Sequence, residues 1–260
     1  MTQRHNQIMQ GEPHIRVHDV TLTYGNYIVM KDISFSIRKG EIFVVMGGSG
    51  CGKSTLMKIM LGLMPPEKGD VFYNGVNFWE SSQDKRNQIL ENVGILYQKG
   101  ALWSSMTLAE NVALPLEEHS DLGHEQIREI VSFKLSLVGL TGFEEFYPSE
   151  LSGGMIKRAA LARAMALDPD ILFFDEPSAG LDPVSSRVLD DLILEVRDSL
   201  KTTVVVISHD LESIFAIADN SVFLDLETRT MTAAGNPREL LEESRNTKVC
   251  SFLTRGKPCT

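Results

Sequence analysis

The chain has 260 residues, of which 43% are hydrophobic and 23% charged, ordinary globular values that exclude disordered, collagen-like and coiled-coil classes. Asp and Glu total 35 against 25 Lys and Arg, a net charge of −10, and no basic block dominates any stretch, so nucleic-acid or anionic-membrane binding by bulk electrostatics is disfavoured. No apolar run approaches the roughly 18 residues of a membrane span and the start is polar rather than a signal peptide, so the chain reads as soluble and cytoplasmic.

Length suggests about 1.7 domains, one large domain or a core with a small subdomain. Residues 1–13 have no hydrophobic period and read as a loose tail. Short β-rich runs follow over 15–22, 28–37 with a break, and 41–46. A glycine cluster then opens a helical pattern over 53–63, closed by Pro65 and Pro66. From about 100 to 168 amphipathic helices replace strands, notably over 107–116 and 125–138, and this stretch reads as an inserted helical subdomain. A helix from Ser152 to about Leu167 is followed by a strand over 171–174, a helix over 183–200, a strand over 203–207, a helix from Leu211 and a strand over 221–226. That alternation specifies an α/β fold with parallel strands. A short helix over 239–244 ends a domain spanning 14–245, and 246–260 is left as a tail. The three cysteines, Cys51, Cys250 and Cys259, have no metal-ligand spacing and read as reduced thiols.

Gly47, Gly48, Ser49, Gly50, Cys51, Gly52, Lys53 and Ser54 fit G-x-x-x-x-G-K-[ST] between a strand and a helix. The glycines let backbone N–H groups converge on phosphate oxygens, and the helix N-terminus adds partial positive charge. Lys53 supplies a charge for the β- and γ-phosphates, and Ser54 a hydroxyl for Mg²⁺. The apolar strand over 171–174 ends in Asp175 and Glu176. Asp175 is placed on the Mg²⁺ side. Glu176, on the other side of an extended chain, is placed to polarise a water attacking the γ-phosphorus; Asp-Glu-Pro could also be a helix N-cap. Ser152, Gly153 and Gly154 open a helix and are either a second anion site or an ordinary N-cap. Cys51 lies where loop amides and the helix end could lower its pKa, or it only fills a small side-chain position.

This set, in this order, resembles the ATP-binding subunits of ABC transporters over roughly residues 15–237. The resemblance implies a P-loop fold of the ABC type, with a mixed sheet, an antiparallel β subdomain and the helical insert, that binds ATP and Mg²⁺. It implies adenine stacking by Tyr24, nucleotide contacts along residues 47–54 and at Thr55, and a glutamine, Gln98, that touches Mg²⁺ and water and senses a membrane subunit. Ser152, Gly153 and Gly154 match the signature that grips the γ-phosphate bound to a second copy. Asp182 lies in the loop that crosses between copies, and His209 matches a switch histidine near the γ-phosphate. Catalytic roles therefore fall to Glu176, His209, Gln98 and Lys53, and metal contacts to Ser54, Gln98 and Asp175. One departure is Met155, where most members have glutamine.

The strings 151–155, 157–164, 97–103 and 111–119 look like the ATPases of the Mla/Mce-type phospholipid transport systems of Gram-negative envelopes. This implies a head-to-tail, ATP-bridged homodimer under membrane permease subunits at the cytoplasmic face of the inner membrane. A lipid-binding Mce-type ring protein lies beyond, and a small regulatory subunit can join. Leu102, Trp103 and Met106 are candidates for the permease-docking surface or for the subdomain core. Alternatives are the ATPase of another importer or exporter, for amino acids or lipoproteins, and a non-transport ABC ATPase acting as an ATP-gated regulator.

Overall fold

The computed structural model describes residues 12–25, 27–244 and 246–256. Its chain order is β1 (Ile15–Tyr24), β2 (Tyr27–Ile37), β3 (Ile42–Gly47), α1 (Lys53–Met60), β4 (Lys68–Tyr73), β5 (Val76–Asn77), α2 (Gln83–Leu90) and β6 (Val93–Leu96). Then come α3 (Leu108–His119), α4 (His124–Leu137), a 3₁₀ turn at Pro148–Glu150, α5 (Gly153–Ala164), β7 (Ile171–Asp175), α6 (Pro183–Leu200) and β8 (Thr203–Ile207). The chain continues through α7 (Leu211–Ile217), β9 (Asn220–Asp225), β10 (Thr230–Gly235), α8 (Pro237–Glu243) and α9 (Thr247–Leu253).

Two sheets form. A four-stranded sheet in the order β2-β1-β4-β5 is antiparallel. A six-stranded sheet, β10-β9-β3-β8-β7-β6, is parallel except for β10 at its edge. The parallel strands are buried on both faces, which is why β3 and β8 read as unbroken apolar runs. Alternate residues divide between two cores. Val44, Leu172, Phe174 and Val206 face the helices α3 to α7 and α9, whereas Val45, Phe173, Val205 and Ile207 face α1 and the antiparallel sheet. The nucleotide-loop helix is thus wedged between two sheets, and its approach is fixed by both.

The expected mixed fold, antiparallel subdomain and helical insert are all present. The expected break in the second strand is a kink at Asp32, whose φ of 54° leaves β2 continuous. The helical insert begins where Thr107 caps α3 in a reciprocal box with Glu110. Six elements go beyond the sequence expectation: β4, β5, α2, β6, β10 and α9. The last of these lies in the stretch read as a tail. Val249 and Leu253 bury it in the helical-side core, and Lys248 ties it to Asp225 at 2.8 Å. Cys250 is disulfide-bonded, unlike the reduced thiols expected, because spacing alone does not specify pairing. Cys259 and residues 1–11 lie outside the described residues. Of the candidate docking residues, Trp103 is 58% exposed, while Leu102 packs on the helical-side core.

One packing contact fixes the helical insert on the sheet. A Cβ at Gly94 on β6 would lie 2.1 Å from the Ala164 carbonyl oxygen at the end of α5, so only glycine lets helix and strand approach this closely. Among the described residues no helix is long and apolar enough to cross a membrane.

Candidate active site

The loop after β3 needs its glycines for steric reasons. A Cβ at Gly47, where φ is 150°, would stand 2.5 Å from the Leu224 carbonyl oxygen, and one at Gly52, where φ is 93°, would stand 2.9 Å from Val29 Cγ1. Gly52 caps α1 with no side chain, leaving the first N–H groups of the helix free to face a ligand. The Lys53 ammonium folds back over the loop and donates to the carbonyls of Gly47 at 2.9 Å and Gly48 at 3.0 Å. Cys51 is fully buried beneath the loop. Burial pushes its thiol above the ordinary range, against the smaller pull of the Lys53 charge. Of the two readings of Cys51, the structure supports the small buried side chain over the activated thiol: desolvation outweighs the helix end, because the side chain packs into the core.

The carboxylate end of β7 faces this loop. Ser54 Oγ donates to Asp175 Oδ1 at 3.4 Å. Burial and then the Glu176 charge raise the Asp175 carboxyl, opposed by Ser54, Lys53 and Lys157. Glu176 is not extended as the strand alternation suggested; its φ of 49° puts it in the left-handed region immediately past the strand. Three bonds hold that unfavourable conformation. Its amide donates to the Ile207 carbonyl at 2.9 Å, its Oε1 lies 2.7 Å from His209 Nδ1, and its carbonyl accepts from Lys157 Nζ at 3.5 Å. Its side chain is 13% exposed and that of His209 57%, so the pair sits at the rim with the carboxylate inward.

A cavity of about 520 Å³ brings the expected residues together. Ser49, Gly50, Gly52, Lys53, Ser54 and Thr55 line it from the loop and the start of α1. Gln98, Asp175, Glu176, His209 and Tyr24 line it as well. The Tyr24 hydroxyl lies 3.2 Å from Thr55 Oγ1. Gly47, Gly48 and Cys51 shape the loop without lining the cavity. Ser152, Gly153, Gly154 and Asp182 lie outside it. Ser152 caps α5 by accepting from the Met155 amide at 3.3 Å, and Asp182 caps α6 by accepting from the Val184 and Ser185 amides at 3.0 Å. These two caps sit side by side, since a Cβ at Gly154 would be 3.1 Å from Ser185 Oγ. Ser152 and Gly153 are exposed, while Met155 packs on the apolar core.

Three residues at this site carry no sequence signal that singled them out. Tyr27 lines the same cavity with the Arg229 guanidinium 4.7 Å from its ring centroid; the signal available was a second aromatic close to Tyr24. Lys157 and Arg163, on α5, both bond the loop that carries Gln98. In the sequence they serve only as part of the string 157–164, with no role of their own.

Comparisons with known proteins agree with this geometry. Residues 30–179 match the ABC transporter family. The chain is 39% identical over 239 residues, 92% of its length and 89% of the relative's, to the intermembrane phospholipid transport system ATP-binding protein MlaF of Haemophilus influenzae. It is equally identical, over 92% of its length and 66% of the relative's, to the probable ribonucleotide transport ATP-binding protein mkl of Mycobacterium tuberculosis. Among solved structures, the ATP-binding cassette MJ0796, a dimer in a post-hydrolysis state with ADP and Pi, superposes with a TM-score of 0.76 at 27% identity, covering 85% of this chain and 98% of that one. The family match over more than half of the chain, with 39% identity across 92% of it, makes this chain a member of the ABC transporter family.

Proposed function

We propose that this protein is the ATP-hydrolysing subunit of a transporter that moves phospholipid across or between bacterial envelope membranes. The observation that carries the hydrolysis is the convergence of Lys53, Ser54, Asp175, Glu176 and His209 on one cavity. Its combination with 39% identity to a phospholipid-transport relative across 89% of that relative carries the cargo. The ribonucleotide-named relative is matched over a smaller share of its length, which favours the phospholipid reading.

In this reading ATP lies along residues 47–55 with its base on Tyr24, and Lys53 leaves the Gly47 and Gly48 carbonyls to meet the phosphates. The Ser54 hydroxyl, the Asp175 carboxylate and the Gln98 amide oxygen are a hard, oxygen-only set with one carboxylate, which fits Mg²⁺ sharing its remaining positions with water and phosphate. When bound, Mg²⁺ neutralises charge on the phosphates. Glu176 orients the attacking water and takes its proton at the carboxylate, while His209 fixes that carboxylate from the rim. Ser152, Gly153 and Gly154 of one copy meet the γ-phosphate of the other, and Asp182 lies at the crossing. Binding therefore closes a two-fold homodimer and hydrolysis loosens it. Permease subunits, a ring-forming lipid-binding protein and a small regulatory subunit complete the assembly at the cytoplasmic face of the inner membrane. Gln98 and the exposed Trp103 stand toward the permease.

The test is an affinity capture from detergent-solubilised membranes with Glu176→Gln, which holds ATP between two copies. Recovery of a permease with a lipid-binding ring protein supports the reading. Recovery of a different permease, or of no membrane protein, overturns the cargo while leaving the ATPase.

A further inference from the structure

We infer that Lys157 is a positioning residue for hydrolysis, joining the carbonyl of Gln98 to the carbonyl of Glu176 and so holding the Glu176 backbone in its left-handed conformation. The inference rests on the hydrolysis reading above and not on the cargo.

The position is an unexpected one for a lysine. Lys157 is 5% exposed on the face of α5 that also buries Ala160 and Leu161, where an apolar side chain would cost far less. Desolvation lowers its pKa, opposed by the Asp175 and Glu176 charges. What the ammonium gains is two backbone acceptors from separate elements. One is the carbonyl of Gln98, in the loop after β6. The other, at 3.5 Å, is the carbonyl of Glu176, at the end of β7.

The Gln98 loop depends on the helical insert for its shape. Arg163, two turns further along α5, donates to the carbonyls of Ala101 at 2.7 Å and Gly100 at 3.0 Å. The fully buried Asn111 on α3 bonds both the amide and the carbonyl of Trp103. Lys157 is the member of this set that also reaches the catalytic strand. It stands five residues from Ser152, about 7.5 Å along the helix axis. One ammonium thus connects three places: the loop facing the membrane partner, the residue that handles the water, and the helix whose cap faces the second copy. Glu176 loses one of its three anchors when that ammonium is removed. Its amide and imidazole partners remain, so the carboxylate stays in the cavity but its aim broadens, and imprecision of this kind costs rate and not affinity.

The experiment compares Lys157→Met and Lys157→Arg with the parent protein, measuring kcat and KM for ATP together with equilibrium binding of a fluorescent ATP analogue. For Lys157→Met we expect kcat to fall at least tenfold while KM and analogue affinity stay within twofold, which also shows the variant is folded. Lys157→Arg, which restores donors to both carbonyls, should return kcat to within about threefold of the parent. A Lys157→Met variant that keeps kcat within twofold overturns the inference. So does a loss that appears in KM and binding, or one that Lys157→Arg shares in full, since either makes the residue a packing element. If Lys157→Met proves unfolded, the Lys157→Arg kcat decides alone: below a third of the parent with normal binding, the inference falls. A parent protein without ATP turnover overturns the hydrolysis reading and the inference together, whereas an active parent with an indifferent Lys157→Met overturns the inference alone.

Discussion

His209 Nδ1 lies 2.7 Å from Glu176 Oε1, a side-chain contact to the carboxylate proposed to orient the attacking water. Because the imidazole is the more exposed partner, it holds the carboxylate from the solvent side without filling the cavity. His209→Ala should lower kcat by about 10²-fold, with ATP affinity little changed, in a phosphate-release assay. Turnover equal to the parent would mean that the imidazole merely rests on the carboxylate.

Lys53 parks its ammonium on two loop carbonyls. That arrangement keeps a 7% exposed charge satisfied and ready for exchange onto phosphate oxygens. Replacing it with alanine removes charge-assisted bonds of about 1.5–3 kcal/mol, so affinity for a fluorescent ATP analogue should drop by about ten- to a hundredfold. Unchanged affinity would place the phosphates elsewhere.

Cys51 is a free thiol in the loop proposed to hold the phosphates, yet it is fully buried and its ionisation is disfavoured. N-Ethylmaleimide should therefore leave Cys51 unmodified in the native protein for far longer than in the denatured chain, as read by intact mass. Cys51→Ala should hydrolyse ATP at a rate within a few fold of the parent. Rapid native labelling that ATP blocks would contradict the inward orientation.

Asp190 on α6 introduces a pH dependence of a definite sign. Its carboxyl is pushed up to about 6, first by burial and then by the Asp210 and Asp191 charges, with Ser213 and Arg187 opposing. One of its oxygens, Oδ1, has no hydrogen-bond partner among the described residues. Between about pH 4 and pH 6 the folded protein keeps a proton that the unfolded chain has released, so this group's contribution to stability declines as pH rises through that window. Asp190→Asn removes the penalty and should be more stable than the parent at pH 7 by up to about 3 kcal/mol, and less different at pH 4. Urea unfolding of both proteins at the two pH values measures this. A gap that does not widen with pH would mean that the carboxyl titrates normally.

The parts legible in the sequence were those where one residue type is the only solution. Gly47 and Gly52 admit no side chain, and Lys53, Ser54 and Asp175 carry chemistry at fixed spacing, so loop and strand end could be read together. The elements that escaped lack a pattern of their own. Helix α2 buries none of its residues, so no hydrophobic period marks it. Strands β5 and β6 have two and four residues, too short to alternate visibly. The left-handed turn at Glu176 is invisible because a strand period predicts only the next extended residue. Lys157 is hidden for the converse reason: its charge suggests a solvated face, whereas tertiary contacts bury it.

Gly94 has a mechanical consequence. With no side chain between β6 and the Ala164 carbonyl, the end of α5 bears directly on the sheet and cannot slide inward. In the proposed assembly, a tilt of α5 about that bearing would move its N-terminal end the most. Ser152 lies about 18 Å up the helix, so a swing of about 10° would carry the exposed Ser-Gly-Gly cap through about 3 Å. In the proposed dimer, a tilt about this one glycine would suffice to make or break a hydrogen bond at the cap.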